Sequence, residues 1–213
     1  MSVLMQENLH WFGNSAFRFD GSKTIYFDPW KLAAHAKKAD IIFISHEHFD
    51  HLSNYDIQNI CLATTVIICN NDAAAQLKKD KPPCKDIRAM LPGDRIETGG
   101  VTVRAVPSYN LNKAYHTKES KKLGFIVSID NISIYHGGDT DKIPEMSGYG
   151  CDIAILPIGG TYTMGPREAA EAALIIKPKF AVPMHYDSAR DAKEFQDLLK
   201  NKIEVKILKK EAR

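Results

Sequence analysis

The densest chemistry in the chain lies in Ser45-His46-Glu47-His48-Phe49-Asp50-His51-Leu52, where three imidazoles and two carboxylates fall within six residues. A neutral imidazole offers a nitrogen lone pair, which makes histidine the commonest metal ligand at neutral pH. His46 and His48 are two apart, so an extended backbone points both to one side, where they can share an ion. Asp50 and His51 follow closely enough to serve a second ion beside it. A carboxylate next to a bound cation can also position water and take up its proton, the catalytic part assigned to Asp50. The plainer alternative is a histidine-rich surface loop with adventitious metal affinity. Against it stand two further metal-type side chains that follow apolar runs, as His46 follows IIFIS: Asp139 after ISIYHGG and His185 after FAVPM. Loops at strand ends, held by a rigid sheet, are where sites are usually built.

The elements that must position these residues are strand-rich at first, then alternate between strand and helix. Asn8 to Asp28 reads as two or three strands with a turn at Asp20-Gly21. Asp40 to Ser45, Val66 to Cys69, Asp152 to Pro157 and Lys179 to Met184 are short apolar runs, the pattern of buried strands. Arg88 to Pro107 reads as two strands around Glu97-Thr98-Gly99-Gly100, Leu123 to Tyr135 as a hairpin turning at Asp130-Asn131, and Ile203 to Leu208 as a final strand. Helices are expected over Ser53 to Cys61 with Ser53 as N-cap, Asn71 to Lys79, Pro166 to Lys177 and Arg190 to Lys200. Ser108 to Lys122 is a polar loop without periodicity.

His46-x-His48-x-Asp50-His51 resembles the signature of the metallo-β-lactamase superfamily, and the likeness runs through nearly the whole chain. Asp28-Pro29-Trp30, Gly138-Asp139-Thr140 and Met184-His185-Tyr186 look like its further motifs. Leu156-Pro157-Ile158-Gly159-Gly160 is similar to the small single-domain members, the group of metal-dependent hydrolases near ascorbate-6-phosphate lactonase. The resemblance implies an α/β fold, the four-layer αββα sandwich. It also implies a dinuclear centre. His46 and His48 would hold the first metal, Asp50, His51 and His185 the second, and Asp139 would bridge both. The ions would be zinc, with manganese or iron as substitutes. The superfamily's usual third histidine of the first site is replaced here by Asn110, so either His116 reaches in or that site keeps more water.

Other residues have quieter readings. His136 would orient a ligand, and Asp28 would organise the ligand loop by hydrogen bonds rather than bind metal. His10 and His35 read as structural. Lys113, Lys118, Lys121 and Lys122 form either a solvated loop or an attractor for an anionic substrate.

The 213 residues suit one domain spanning 1–213, with 44% apolar residues for a core and 25% charged. A formal charge of +2 does not indicate a nucleic-acid or membrane-surface partner. The start MSVLMQENLHWFG does not read as a secretory leader, and no apolar stretch approaches the roughly 20 residues of a membrane span. Cys61, Cys69, Cys84 and Cys151 are scattered, as in a reduced cytoplasmic protein. No G-x-S-x-G elbow and no G-x-x-x-x-G-K-[ST] loop is present, which removes serine-nucleophile and P-loop chemistry. The expectation is a metal-dependent hydrolase acting on an ester, lactone or phosphoester of a small, anionic substrate. The alternatives are a phosphodiesterase or nuclease of the same fold, and a non-catalytic metal-binding protein.

Overall fold

The computed structural model describes residues 7–212, so the start of the leader region considered above lies outside the described residues. The chain forms two compact units, Met1–Met90 with Leu208–Arg213, and Leu91–Ile207.

The first unit is built on a six-stranded sheet in the order β1-β2-β3-β4-β5-β6. The strands are β1 (Leu9–Gly13), β2 (Ala16–Asp20), β3 (Thr24–Phe27), β4 (Ile41–Ile44), β5 (Val66–Cys69) and β6 (Asp86–Ala89). β1, β2 and β3 form an antiparallel meander, while β3 to β6 run parallel. β4 and β5 are buried at every position, which is why their sequences are unbroken apolar runs. Helix α1 (Asn54–Ile60) starts at Ser53, whose hydroxyl accepts from the Asp56 amide. The buried Asp56 in turn accepts from the amides of Lys31 and Leu32, pinning the loop after β3. Helix α2 (Asn71–Asp80) is capped by the Asn70 side chain and closes on Lys81 in the left-handed conformation. Ile57, Ile60, Ala73, Ala74 and Leu77 pack with Ile42, Ile44 and Ile67 in this unit's core.

The second unit carries a seven-stranded sheet ordered β13-β12-β11-β10-β9-β8-β7. Its strands are β7 (Arg95–Thr98), β8 (Val101–Pro107), β9 (Leu123–Ile129), β10 (Ile132–His136), β11 (Ile153–Pro157), β12 (Phe180–Met184) and β13 (Glu204–Val205). β7 to β10 are antiparallel and β10 to β13 parallel. The β9–β10 turn has positive φ at both Asp130 and Asn131, the two-residue form that matches strand twist. Helix α3 (Pro166–Ile176) begins on a proline and lays an alanine face on the sheet. Helix α4 (Ala189–Leu199) buries Ala192, Phe195 and Leu199 in the same cluster.

Most expected elements are present. Of residues 88–107, β7 and β8 form the expected pair around Gly99-Gly100, while Arg88 and Ala89 belong to β6 in the first sheet. The last strand shrinks to Glu204–Val205. No helix of the described residues is long and apolar enough to cross a membrane.

Candidate metal centre

In the first unit every candidate group follows the carboxyl end of a parallel strand. Asp28 stands just beyond β3 with φ +43°, and its amide donates to Phe43 O. Its buried carboxylate collects three donors. Oδ1 accepts from the Ser45 amide at 2.7 Å; Oδ2 accepts from Ser45 Oγ at 2.6 Å and lies 2.7 Å from His51 Nδ1. A carboxylate only accepts, so His51 Nδ1 carries the proton and Nε2 presents a lone pair. Ser45 Oγ has given its proton to Asp28, so it accepts from His46 Nδ1 at 2.9 Å, and His46 Nε2 is left as a lone pair too. Asp28 thus touches His51 directly and reaches His46 through Ser45.

The donor spacings suit an ion. His46 Nε2 and His48 Nδ1 are 3.1 Å apart, close to the roughly 3.3 Å edge of a tetrahedron of nitrogens at about 2.0–2.1 Å from zinc. His51 Nε2 lies 3.7 Å from Asp50 Oδ2. Asp50 is held from the β1–β2 turn, where Asn14 (φ +46°) donates from Nδ2 to Asp50 Oδ2 at 2.9 Å. Glu47 is occupied elsewhere, accepting from Asn70 Nδ2, and Phe49 lies edge-on to Trp30 in solvent. His10 pairs with Asp20 and Glu211, and His35 is exposed.

The second unit arranges its own set at strand ends. Asp139 follows β10 through Gly137-Gly138 and is buried. His185 follows β12 with φ +53°, and its Nε2 lies 3.4 Å from Asp139 Oδ2. His116 is buried and has φ +57°. Its Nδ1 lies 2.9 Å from Asp139 O; a carbonyl accepts, so Nδ1 is protonated and Nε2 is the lone pair. Asn110 fastens the polar loop: its Nδ2 donates to Tyr115 O at 3.1 Å and Tyr162 O at 2.9 Å, and its amide to His116 O. Asp141 accepts from the Leu111 amide and from Lys113 Nζ. His136 is fully buried at the end of β10, in register with Phe125 and Ile155. Gly159 sits against His185; a Cβ there would stand 2.4 Å from His185 O.

The loop lysines are not a free basic patch. Lys113 is taken by Asp141, Lys118 pairs with Glu145 at 2.9 Å, and Lys122 is buried. Sequence reasoning missed Ser45 and Asn14. Ser45 is adjacent to His46, so a polar residue ending an apolar strand was an available signal; Asn14 reads only as a turn residue. His46, His48, Asp50 and His51 in the first unit, and His116, Asp139 and His185 in the second, each carry a ring nitrogen or carboxylate oxygen of the kind that can hold an ion.

The chain as a whole is similar to known proteins. The family described as the Beta-lactamase superfamily domain matches residues 8–185. The chain is 38% identical over 214 residues to a UPF0173 metal-dependent hydrolase of Thermococcus onnurineus, covering 92% of this chain and 94% of that protein. It resembles the crystal structure of a proposed metal-dependent hydrolase from Parabacteroides distasonis, with TM-score 0.84, 32% identity and coverage of 93% and 90%. A proposed zinc-dependent hydrolase of the metallo-β-lactamase superfamily from Thermotoga maritima matches with TM-score 0.61 over 92% and 95% of the two chains; at 21% identity that likeness shows the fold alone.

Proposed function

Because the chain belongs to the β-lactamase superfamily domain family and is a metal-dependent hydrolase by its relatives, we propose that it cleaves an ester, lactone or phosphoester bond of a small molecule with two divalent ions. His46, His48 and His116 are assigned to one ion, Asp50, His51 and His185 to the other, and Asp139 to both. The family match runs through both units, which supports reading them as one functional domain. The observation that carries the assignment is the set of preset tautomers. Asp28, through Ser45 and directly, and the Asp139 carbonyl leave His46, His51 and His116 each with Nε2 as a lone pair.

Bound ions would supply Lewis acidity, drawing the pKa of a shared water toward neutrality and polarising the electrophilic oxygen. The protein's own part is positional. Asn14 fixes one oxygen of Asp50, so the other faces a single direction and can take the water's proton. Asp28 and Ser45 keep the imidazoles from rotating. An imidazole-rich set favours zinc; the two carboxylates leave room for manganese or iron. Of the loop lysines, Lys113 and Lys118 are paired with carboxylates, which leaves Lys121 as the exposed cation there for an anionic substrate. Free thiols at all four cysteines fit a cytoplasmic location.

The test is metal analysis of the purified protein with a panel of esters, lactones and phosphodiesters, assayed before and after chelation. Turnover should vanish with the metal and return on adding zinc or manganese. Full turnover by verified metal-free protein overturns the reading.

A further inference from the structure

Among the described residues four aromatic side chains are more than half exposed: Phe49 (76%), Tyr55 (72%), Tyr115 (59%) and Tyr162 (53%). Two of them adjoin proposed ligands in the chain, and a third follows a glycine that packs on one. Phe49 lies between His48 and Asp50, Tyr115 directly precedes His116, and Tyr162 is three residues beyond Gly159, which packs on His185. Tyr115 and Tyr162 form an edge-to-face pair with centroids 5.9 Å apart and planes at 77°. The pair is framed from below. The buried Asn110 commits both hydrogens of its amide to the carbonyls of these two tyrosines. Leu111 adds a third exposed apolar group from the same loop. Two cations of that loop are paired, Lys113 with Asp141 and Lys118 with Glu145. Aromatic side chains are a usual lining of small-molecule sites, and an edge-to-face pair leaves a ring face open to a third flat group.

We infer that the Tyr115–Tyr162 pair is the substrate-recognition surface of the second unit. It selects esters or lactones whose acyl part carries an aryl or similarly flat apolar group. This rests on the hydrolase reading for its reaction but not for its binding. The occupant is therefore an aromatic ring rather than a phosphate or a small carboxylate.

The test uses the metal-loaded full chain. Hydrolysis of ethyl phenylacetate is compared with that of ethyl hexanoate, and binding of phenylacetate with that of hexanoate by saturation-transfer NMR. In Tyr115→Ala/Tyr162→Ala the aryl-over-alkyl ratio of kcat/KM should fall about tenfold, through KM. Phenylacetate binding should weaken by a similar factor, with metal content per chain unchanged. Tyr115→Phe/Tyr162→Phe should keep both, since the rings and not the hydroxyls act; Tyr55→Ala should leave the ratio as it is. If the double alanine variant keeps its aryl preference and its phenylacetate binding, the inference is overturned, while metal-dependent turnover leaves the hydrolase reading standing. If tyrosine-dependent phenylacetate binding persists without turnover of either ester, the surface stands and the hydrolase reading fails for these esters.

Discussion

Gly159→Ala isolates the role of one close contact. The added Cβ would sit 2.4 Å from His185 O and 3.2 Å from His185 Nδ1, so it falls about 1 Å short of the 3.4 Å at which ordinary contact begins. The obstructing atom is backbone and cannot swing aside. Gly159 itself is not among the residues with positive φ, so alanine adds no backbone strain of its own. The relief must come from moving His185, by roughly 1 Å. A displacement of that size at a catalytic group costs about 100-fold in rate, or about 2.7 kcal/mol. Overpacking should lower stability by roughly 1–3 kcal/mol, about 2–4 °C of Tm for each kcal/mol in a chain of this size. The assay is metal per chain after dialysis, kcat on the best ester, and thermal unfolding. We expect bound metal to fall, as the ion that uses His185 is lost, and kcat to drop about 100-fold. Gly148→Ala, where a Cβ meets nothing within 4 Å, is the matched control and should change none of these. Gly159→Ala with the parent's metal content and kcat would refute the claim that this glycine places His185.

Asp28→Asn keeps the size and tolerates the left-handed backbone, but removes the charged acceptor shared by Ser45 and His51. Metal affinity, read by competition with a chromophoric chelator, should fall about 10- to 100-fold, and an unchanged affinity would reject the tautomer argument. Asn14→Ala should lower kcat about tenfold with metal content intact; equal kcat would remove Asn14 from the mechanism. Asn110→Ala strands two carbonyls at a cost of about 1–3 kcal/mol and should make residues 108–117 the first site of limited proteolysis, whereas resistance equal to the parent's would count against its fastening role. Burial pushes the thiols of Cys61, Cys69 and Cys151 up to about 12, and that of the partly exposed Cys84 up by less. A raised thiol pKa keeps the unreactive protonated form at pH 8. A disulfide reagent should therefore titrate Cys84 first, the partly exposed Cys151 slowly, and the buried Cys61 and Cys69 only after unfolding; four fast thiols in the native protein would contradict this.

What the sequence made legible follows from local physics. β4 and β12 announce themselves because strands buried on both faces must be apolar throughout. Ser53 and Asp130-Asn131 are local signals, a cap and a twist-matched turn, and both stand where expected. β6 was merged with its successors because an edge strand bearing Asp86 and Arg88 has no apolar run to mark it. β13 is short for the same reason: at the sheet's edge little is buried. In the site, the histidine-rich turn was legible from residue type and spacing, and Asp28 from the resemblance to the superfamily. Asn14 was not, since its partner lies 36 positions away and a turn asparagine needs no further explanation. Asn110 read as a missing ligand because its actual partners are backbone carbonyls, which carry no sequence code. The pairing of Lys113 and Lys118 was not legible because their carboxylate partners, Asp141 and Glu145, sit beyond the loop.

Asp28, His116 and His185 all occupy left-handed backbone, a region where glycine alone is at ease. Each non-glycine residue there raises the energy of the native state by about 1 kcal/mol. Glycine at the half-buried His185 should thus relieve strain and leave the chain inert, whereas glycine at Asp28 would also strand the three donors its carboxylate holds, at a greater cost. The side chain at the His185 corner was chosen against folding, and any programme that hardens this chain by relieving strain there will erase its chemistry first.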